Sequence, residues 1–218
     1  MKLDHLSFAA GPEGAAATAE RLGDKLGARF VDGGFHPRFG TRNWTLPMAG
    51  DTYFEVVEVL DHPAADKAPF GQAVRARSSD GGGWLGWVVR VDDLGPVEQR
   101  LGREAVPGNR HLPTGEELSW KQIGVKGLQA DPQLPFFVHW LSDMGLHPSK
   151  QYADDAPSEP VIRLTGLEIA GDPDRVNDWM GGDADGALPE VDISWSAPNG
   201  QPGVLAATFQ TPAGEVRL

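Results

Sequence analysis

Residues Leu3–Gly23 read LDHLSFAAGPEGAAATAERLG, and the chain repeats this pattern twice. The later copies are WLGWVVRVDDLGPVEQRLG (Trp84–Gly102) and LTGLEIAGDPDRVNDWMG (Leu164–Gly181). In each copy an apolar-alternating run passes Gly, Pro or Asp and enters an amphipathic segment that ends in Leu-Gly or Met-Gly. This order predicts a strand, a tight turn and a helix that glycine caps at its C-terminus. Three copies at such spacing indicate a duplicated supersecondary unit.

The residues around each copy extend the unit. After the first helix, strands are predicted at Arg29–Asp32, Asn43–Met48 and Thr52–Val59, which gives the order β-α-β-β-β over residues 1–60. A connector follows at 61–83, with a short helix at Phe70–Arg77.

The second unit, residues 84–160, repeats the order and ends in a loop over Ser142–Pro160. Its predicted strands after the helix are Arg103–Val106, Glu117–Val125 and Pro135–Trp140. Residues 161–218 supply a partial repeat with a strand, a helix and further strands. We therefore predict an α+β fold in one compact domain, with tandem βαβββ units and a C-terminal βαββ-like extension.

Composition excludes several classes of partner. Nineteen Lys and Arg stand against 31 Asp and Glu, a net charge of −12, which disfavours nucleic acid and anionic membrane surfaces. No apolar run approaches the roughly 20 residues of a membrane span, and the N-terminus MKLDH lacks the apolar core of a signal peptide. The absence of cysteine excludes disulfides and thiol chemistry. We expect a cytoplasmic protein.

A series of short motifs carries a family resemblance: Leu3-Asp4-His5, Gly33-Gly34, His36-Pro37, Tyr53-Phe54-Glu55, Pro69-Phe70-Gly71, Gly82-Gly83-Trp84, Pro135-Phe136-Phe137, His147-Pro148 and Leu164-Thr165-Gly166-Leu167. Their order resembles the vicinal-oxygen-chelate superfamily and, within it, the glyoxalase-like domain proteins. The resemblance implies that two βαβββ units curl their mixed sheets around a shared cavity, with any metal ligands on the first and fourth strands. We expect the cavity to form within one chain, in a monomer or a homodimer.

Strand alternation assigns side chains to this cavity. On the first strand Leu6 and Phe8 face the helix, which leaves His5 and Ser7 for the cavity. On the fourth strand the cavity-facing residues are Tyr53, Glu55 and Val57. For the second unit the predicted inward residues are Gly86, Val88, Arg90 and His139, with Phe136, Val138 and Trp140 on the packed face.

The residues equivalent by repeat are then His5, Glu55, Gly86 and His139. Two imidazoles and one carboxylate are typical of sites for Fe, Zn, Ni, Co or Mn, so His5, Glu55 and His139 are candidate ligands for one divalent metal. The alternative is a hydrogen-bonded polar cluster without metal. Gly86 removes the fourth ligand, which argues against true glyoxalase I chemistry.

Further candidates lie in the loop His36–Asn43 and on neighbouring strands. His36 and Glu55 are the candidate catalytic residues, with His36 as the general acid or base. The candidate ligand-binding residues are Ser7, Arg42, Asn43, Tyr53 and Trp120. The alternative for the loop is a purely structural turn, since Thr and Asn side chains often hydrogen-bond their own backbone. The alternative for Trp120 is packing in the core.

Two functions fit these features. One is a metal-dependent lyase, isomerase or dioxygenase for a small molecule with adjacent oxygens. The other is a non-catalytic small-molecule binding or sequestering protein of the drug-resistance type.

Overall fold

The computed structural model describes residues 1–153, 161–182, 184–197 and 200–218. Eight strands close into a barrel: β1 Lys2–Ala9, β2 Val31–His36, β3 Thr41–Met48, β4 Thr52–Val59, β5 Gly83–Arg90, β6 Val106–His111, β7 Glu117–Ile123 and β8 Phe136–Trp140. Their order around the barrel is β1-β4-β3-β2-β6-β7-β8-β5.

The helices are α1 Ala15–Leu26, α2 Pro63–Lys67, α3 Pro69–Ser79, α4 Gly95–Leu101, α5 Gly127–Ala130, α6 Pro173–Met180 and α7 Ala184–Ala187. The helices of the three sequence repeats end at Gly27, Gly102 and Gly181, whose φ angles of 65°, 61° and 76° lie in the left-handed region. Glycine adopts this conformation without steric penalty. The predicted helix ends at Gly102 and Gly181 are confirmed, whereas the first helix continues through Gly23 and ends one turn later than predicted.

Two seams join the halves of the barrel. In each half the first strand pairs in parallel with the fourth: His5 lies beside Tyr53, and Val88 beside Phe136. At one seam β1 runs antiparallel to β5, with His5 opposite Val88. At the other seam β2 pairs with β6 through Phe35 and His111. The predicted fold of tandem βαβββ units in curled mixed sheets is confirmed.

The C-terminal extension forms a second sheet. Its strands are β9 Arg163–Ala170, β10 Asp192–Ser196, β11 Gly203–Thr211 and β12 Gly214–Arg217, in the order β10-β9-β11-β12. The Phe209 ring of β11 stacks on Phe54 of β4 with centroids 5.7 Å apart. This sheet therefore covers the outer face of the barrel and extends its core.

Two apolar clusters lie on opposite faces of the barrel strands. The outer cluster joins Leu6, Phe54, Trp87 and Phe137 to the helices and the C-terminal sheet. The inner cluster includes Val57, Val88, Trp120, Phe136 and Val138, together with residues of α3 and α5. The inner cluster surrounds the cavity and limits its size.

Some predicted boundaries were wrong. The strand predicted at Arg103–Val106 begins instead at Val106 and runs to His111, and that predicted at Arg29–Asp32 runs from Val31 to His36. Two short 3-10 turns, Met144–Leu146 and Pro148–Lys150, lie in the predicted loop 142–160, whose residues 154–160 are outside the described residues. None of the described helices is long and apolar enough to cross a membrane.

Candidate functional site

The barrel encloses a small cavity of about 30 Å³, a volume that suits one or two water molecules. Both halves of the barrel and the helical connector contribute to its wall. Its lining residues are His5, His36, Phe39, Tyr53, Glu55, Phe70, Trp120, Gln122, Phe136, Val138 and Trp140.

A buried Asp4–His5 pair lies on β1 beside the cavity. The β1–β5 register shifts between Leu3 and His5, so that Asp4 is an extra residue in a β-bulge. A bulge re-aims side chains, and here it brings the Asp4 carboxylate to 2.7 Å from His5 Nδ1. Because an ionised carboxylate only accepts hydrogen bonds, Nδ1 donates to Asp4, and Nε2 is the ring nitrogen left to face Glu55.

Asp4 is fully buried yet ionised. Its second oxygen accepts hydrogen bonds from Trp140 Nε1 at 3.0 Å and His147 Nε2 at 3.3 Å, and Arg90 Nε lies 3.9 Å away. Burial alone raises the pKa of Asp4, but the hydrogen bonds from His147 and His5 outweigh it, so that the pKa lies well below its ordinary value. Asp4 is therefore a fixed negative charge at neutral pH.

His147 is held in the opposite tautomer. Its Nδ1 accepts a hydrogen bond from the Ser149 backbone N–H at 3.2 Å, so Nε2 carries the proton that Asp4 accepts. Burial lowers the pKa of His147 more strongly than Asp4 raises it. His147 thus closes one end of the barrel as a neutral donor.

Glu55 on β4 is fixed by two hydrogen bonds. Ser7 Oγ donates to Oε1 at 2.6 Å and Asn43 Nδ2 donates to Oε2 at 2.7 Å. His5 Nε2 lies 3.7 Å from Oε1. The structure thus brings together four residues predicted for the site, namely His5, Ser7, Asn43 and Glu55.

Tyr53 packs against the same histidine. Its ring stacks on His5 with centroids 4.3 Å apart and planes inclined by 20°. Burial, reinforced by the charges of Asp4 and Glu55, raises the pKa of Tyr53 well above its ordinary value. The phenol therefore keeps its proton and is a neutral hydrogen-bond donor.

His36 lies at the other end of the cavity, at the last position of β2. Its Nδ1 is 2.9 Å from Thr41 Oγ1, and its ring meets Trp120 edge-on at 6.1 Å. Burial, with the positive charge of Arg110 as the next cause, lowers the pKa of His36 well below its ordinary value. His36 is therefore a neutral imidazole across the physiological range.

The second half of the barrel presents a different surface. Trp120 lines the cavity and donates through Nε1 to Gln122 Oε1 at 2.7 Å. Phe136, Val138 and Trp140 of β8 all line the cavity, so their predicted placement on the packed face was wrong.

The predicted placement of His139 was wrong for the same reason, since successive side chains on a strand alternate. His139 points to an outer groove that also contains Arg90 and Lys150, and its Nδ1 lies 3.1 Å from the Val91 carbonyl oxygen. His139 is therefore separated from His5 and Glu55 by the barrel wall.

Arg42 also lies outside the barrel. Its guanidinium packs 4.2 Å from the Trp44 ring centroid and pairs with Asp32 at 2.9 Å. Alternation explains this placement, because the buried neighbours Thr41 and Asn43 point inward. Arg42 does not reach the cavity in which it was predicted to bind a ligand.

The residues present do not form the predicted three-ligand metal site. His5 Nε2 and Glu55 are two donors, but the facing strands offer Val88, Phe136 and Val138 in place of further ligands. At Gly86 a Cβ would lie only 2.8 Å from Leu128 Cδ2, so an apolar side chain borders the fourth position. Within the part of the chain that the structure describes, no group of three His, Cys, Asp or Glu side chains is placed to hold a metal ion.

The sequence analysis missed Asp4, Arg110 and Gln122 as parts of this site. Alternation sends Asp4 to the face opposite His5, and only the bulge reverses that assignment. Arg110 lies beyond Val106, where the short predicted strand ended. Gln122 and its neighbour Lys121 were both recognised on a strand, but the pattern there did not decide which one points inward.

The paired βαβββ units close into one barrel around a small interior cavity. A family model described as "Glyoxalase-like domain" matches residues 3–182. The chain belongs to the glyoxalase-like domain family.

Solved structures share the fold at low sequence identity. A hypothetical protein from Staphylococcus aureus is 15% identical, with 99% of this chain and 84% of that chain covered and a TM-score of 0.58. Methylmalonyl-CoA epimerase from Mycobacterium tuberculosis is 17% identical, with 63% and 85% covered and a TM-score of 0.41. A variant of the Streptomyces coelicolor epimerase in complex with 2-nitronate-propionyl-CoA is 14% identical, with 63% and 94% covered and a TM-score of 0.42.

The first of these likenesses shows the fold alone, and the two epimerases carry no argument about function. A search of curated protein sequences finds no significant match.

Proposed function

We propose that the protein transfers a proton on a small carbonyl compound, which the barrel admits by widening its cavity of about 30 Å³, with His5 as the general base and without a metal ion. The reaction class is that of an isomerase or lyase. The observation that carries the proposal is the Asp4–His5 pair, which leaves the Nε2 lone pair of a buried imidazole beside the cavity.

The first step takes a proton from a carbon next to the carbonyl group. His5 Nε2 accepts this proton, and Asp4 stabilises the resulting imidazolium through the Nδ1 hydrogen bond, as a buried carboxylate does in hydrolase triads. Glu55, 3.7 Å from Nε2, adds a second negative charge beside the imidazolium. The electron pair of the broken C–H bond moves to the carbonyl oxygen and forms an enolate.

The enolate oxygen must be stabilised by a hydrogen-bond donor that is neutral and protonated before the reaction. Tyr53 meets this need, because its raised pKa keeps the phenolic proton in place. Neutral His36 lies at the opposite end of the cavity and is suited to a second proton transfer to or from the substrate. Return of the proton from His5 to the same face of that carbon regenerates the substrate, whereas delivery of a proton to the opposite face by His36 completes an isomerisation.

The proposal is tested by exchange of carbon-bound protons with solvent. Pyruvate, 2-oxobutyrate and acetoacetate are incubated with the protein in D2O with EDTA, and the loss of the proton signal beside the carbonyl is followed by NMR. We expect exchange above the buffer rate with at least one compound, and a loss of about 100-fold or more in His5→Gln. His139→Gln is the matched control and should exchange like the wild type. Exchange that EDTA abolishes, or that His5→Gln retains, would contradict the proposal.

A second candidate function is sequestration of a small apolar compound. It is favoured by the rings that form most of the cavity wall: Phe39, Phe70, Trp120, Phe136 and Trp140. Such a protein would bind its ligand with an affinity that His5→Gln leaves unchanged, and it would exchange no protons. Binding of a small aromatic probe such as benzaldehyde, followed by tryptophan fluorescence alongside the exchange assay, separates the two functions.

A further inference from the structure

Arg110 is a buried cation that has no ion-pair partner among the described residues. It lies on β6 with 2% of its surface exposed. No described carboxylate comes within the 4.0 Å of an ion pair to its guanidinium. Transfer of a charge from water to a protein interior is unfavourable unless a partner compensates it. Burial accordingly lowers the pKa of Arg110.

The hydrogen bonds of Arg110 are few and long. Nη1 donates to Asn43 Oδ1 and Nη2 to Gln151 Oε1, both at 3.3 Å, and both acceptors are neutral amides. Arg110 Nε and the inward Thr45 Oγ1 are buried with no hydrogen-bond partner. The unpartnered Nε of this buried guanidinium is a donor that an anionic acceptor would satisfy.

The carboxylate of Glu55 does not serve as the missing acceptor for Arg110. Both oxygens of Glu55 already accept hydrogen bonds, one from Ser7 and one from Asn43. Asn43 lies between Glu55 and Arg110 and bonds to both. Arg110 therefore belongs to the same polar cluster as the candidate site, but no described carboxylate forms a direct ion pair with it.

We propose that Arg110 binds the carboxylate of the ligand, so that the compounds taken by the barrel are small 2-oxo carboxylates or similar anions. In the ligand-free protein the side-chain amide of Gln151 occupies the position proposed for that carboxylate. It is half-buried, and its Nε2 donates to the Leu146 carbonyl at the end of the barrel that His147 closes. Replacing its neutral amide oxygen by a carboxylate converts a long neutral contact into a charge-assisted one.

This inference rests on the proposed function, because it names the substrate class of the same site. A carboxylate at Arg110 would lie on the other side of Asn43 from Glu55. The ligand would therefore have its anionic end at Arg110 and its carbonyl end towards His5 and Tyr53.

The test compares pyruvate with pyruvamide, which differ in charge and hardly in shape. Each is titrated into the full-length protein at constant ionic strength, and the dissociation constant is measured by NMR chemical-shift changes. We expect pyruvate to bind at least tenfold more tightly than pyruvamide, and Arg110→Met to abolish the difference. Arg75→Met, at an exposed arginine that pairs with Asp66, is the matched control and should retain it.

Gln151→Ala keeps the test decisive if Arg110→Met fails to fold. Removal of the half-buried amide frees Nη2, so pyruvate should bind to this variant at least as tightly as to the wild type. The inference is overturned if pyruvate and pyruvamide bind equally, if neither binds at 50 mM, or if Gln151→Ala loses the preference.

The outcomes separate the two proposals. Arg110-dependent binding of pyruvate without proton exchange would leave the anion site standing and overturn the proposed reaction. Proton exchange that is equal for pyruvate and pyruvamide, and unchanged in Arg110→Met, would support the reaction and overturn the anion site.

Discussion

The two halves of the barrel have the same topology but different interiors. The first half, β1–β4, contains two adjacent hydrogen-bonded groups, Asp4 with His5 and Glu55 with Asn43, and His5 Nε2 lies 3.7 Å from Glu55 Oε1. The equivalent strands of the second half place Val88, Phe136 and Val138 on the same interior face. Duplication thus produced one polar wall and one largely apolar wall.

The difference decides what chemistry the cavity supports. A metal ion held between the halves needs ligands from both, and the second half supplies aromatic and aliphatic groups at the corresponding positions. The polar wall nevertheless contains a complete acid–base arrangement of its own. Under the proposed function, the polar half carries the reaction and the apolar half packs around the ligand.

Replacement of the buried Asp4 carboxylate in the polar half is expected to have the largest effect on stability. Asp4→Asn leaves His5, His147 and Trp140 without their common charged acceptor. The free energy of unfolding should fall by about 3 kcal/mol, the lower end of the range for breaking a buried charged pair. Urea unfolding measures this change. Asp24→Asn, on the exposed face of α1, should change stability by less than about 0.5 kcal/mol.

The pH dependence of stability provides the next largest effect. The pKa values of His36 and His147 are lowered in the folded protein, so below pH 6.5 the unfolded chain binds protons that the folded chain does not. Stability must therefore fall as the pH drops below about 6.5, by up to about 1.4 kcal/mol per pH unit for each histidine while it stays neutral. We expect Tm to decrease steadily from pH 7 to pH 5.

Two variants locate the source of this dependence. His36→Gln should remove one histidine's share of the slope of unfolding free energy against pH, and His139→Gln should leave the slope unchanged. A slope that is unchanged in His36→Gln would mean that His36 is charged in the folded protein.

The apolar wall should respond differently from the polar one. Phe136→Leu replaces a ring that lines the cavity by a smaller side chain. Because the packed volume changes moderately, we expect the free energy of unfolding to fall by about 1 kcal/mol. Proton exchange should stay within about threefold of the wild type, because the reacting groups are untouched. A loss of exchange as large as that in His5→Gln would show that the second half takes part in the reaction.

The sequence predicts the interior of the first half of the barrel better than that of the second half. Alternation placed His5, Ser7, Tyr53 and Glu55 inside the barrel because the pattern of β1 and β4 is unambiguous after His5. The repeat was aligned so that Glu55 matched His139. In the structure Glu55 pairs with Ser7 and Phe136 pairs with Val88, the residue two after Gly86, so that Glu55 matches Phe136. The alignment was therefore off by an odd number of residues, which moves a side chain to the other face of the sheet.

Other parts of the site depend on contacts that no local pattern contains. Asp4 enters the cluster through a bulge, whose presence depends on how β5 pairs with β1. Arg110 meets Asn43, 67 positions away in the chain. The roles predicted for His36, Glu55 and the remaining inward residues stay predictions until activity is measured.

Metal content tests the division between the two halves most directly. Untagged protein purified without chelators is analysed by elemental mass spectrometry, and Zn²⁺ and Ni²⁺ are then titrated into it by calorimetry. We predict far less than one equivalent of Fe, Zn, Ni, Co or Mn, and no tight binding of the added ions. One equivalent of metal that is lost in His5→Ala and in Glu55→Gln, but kept in His139→Ala, would contradict a metal-independent site.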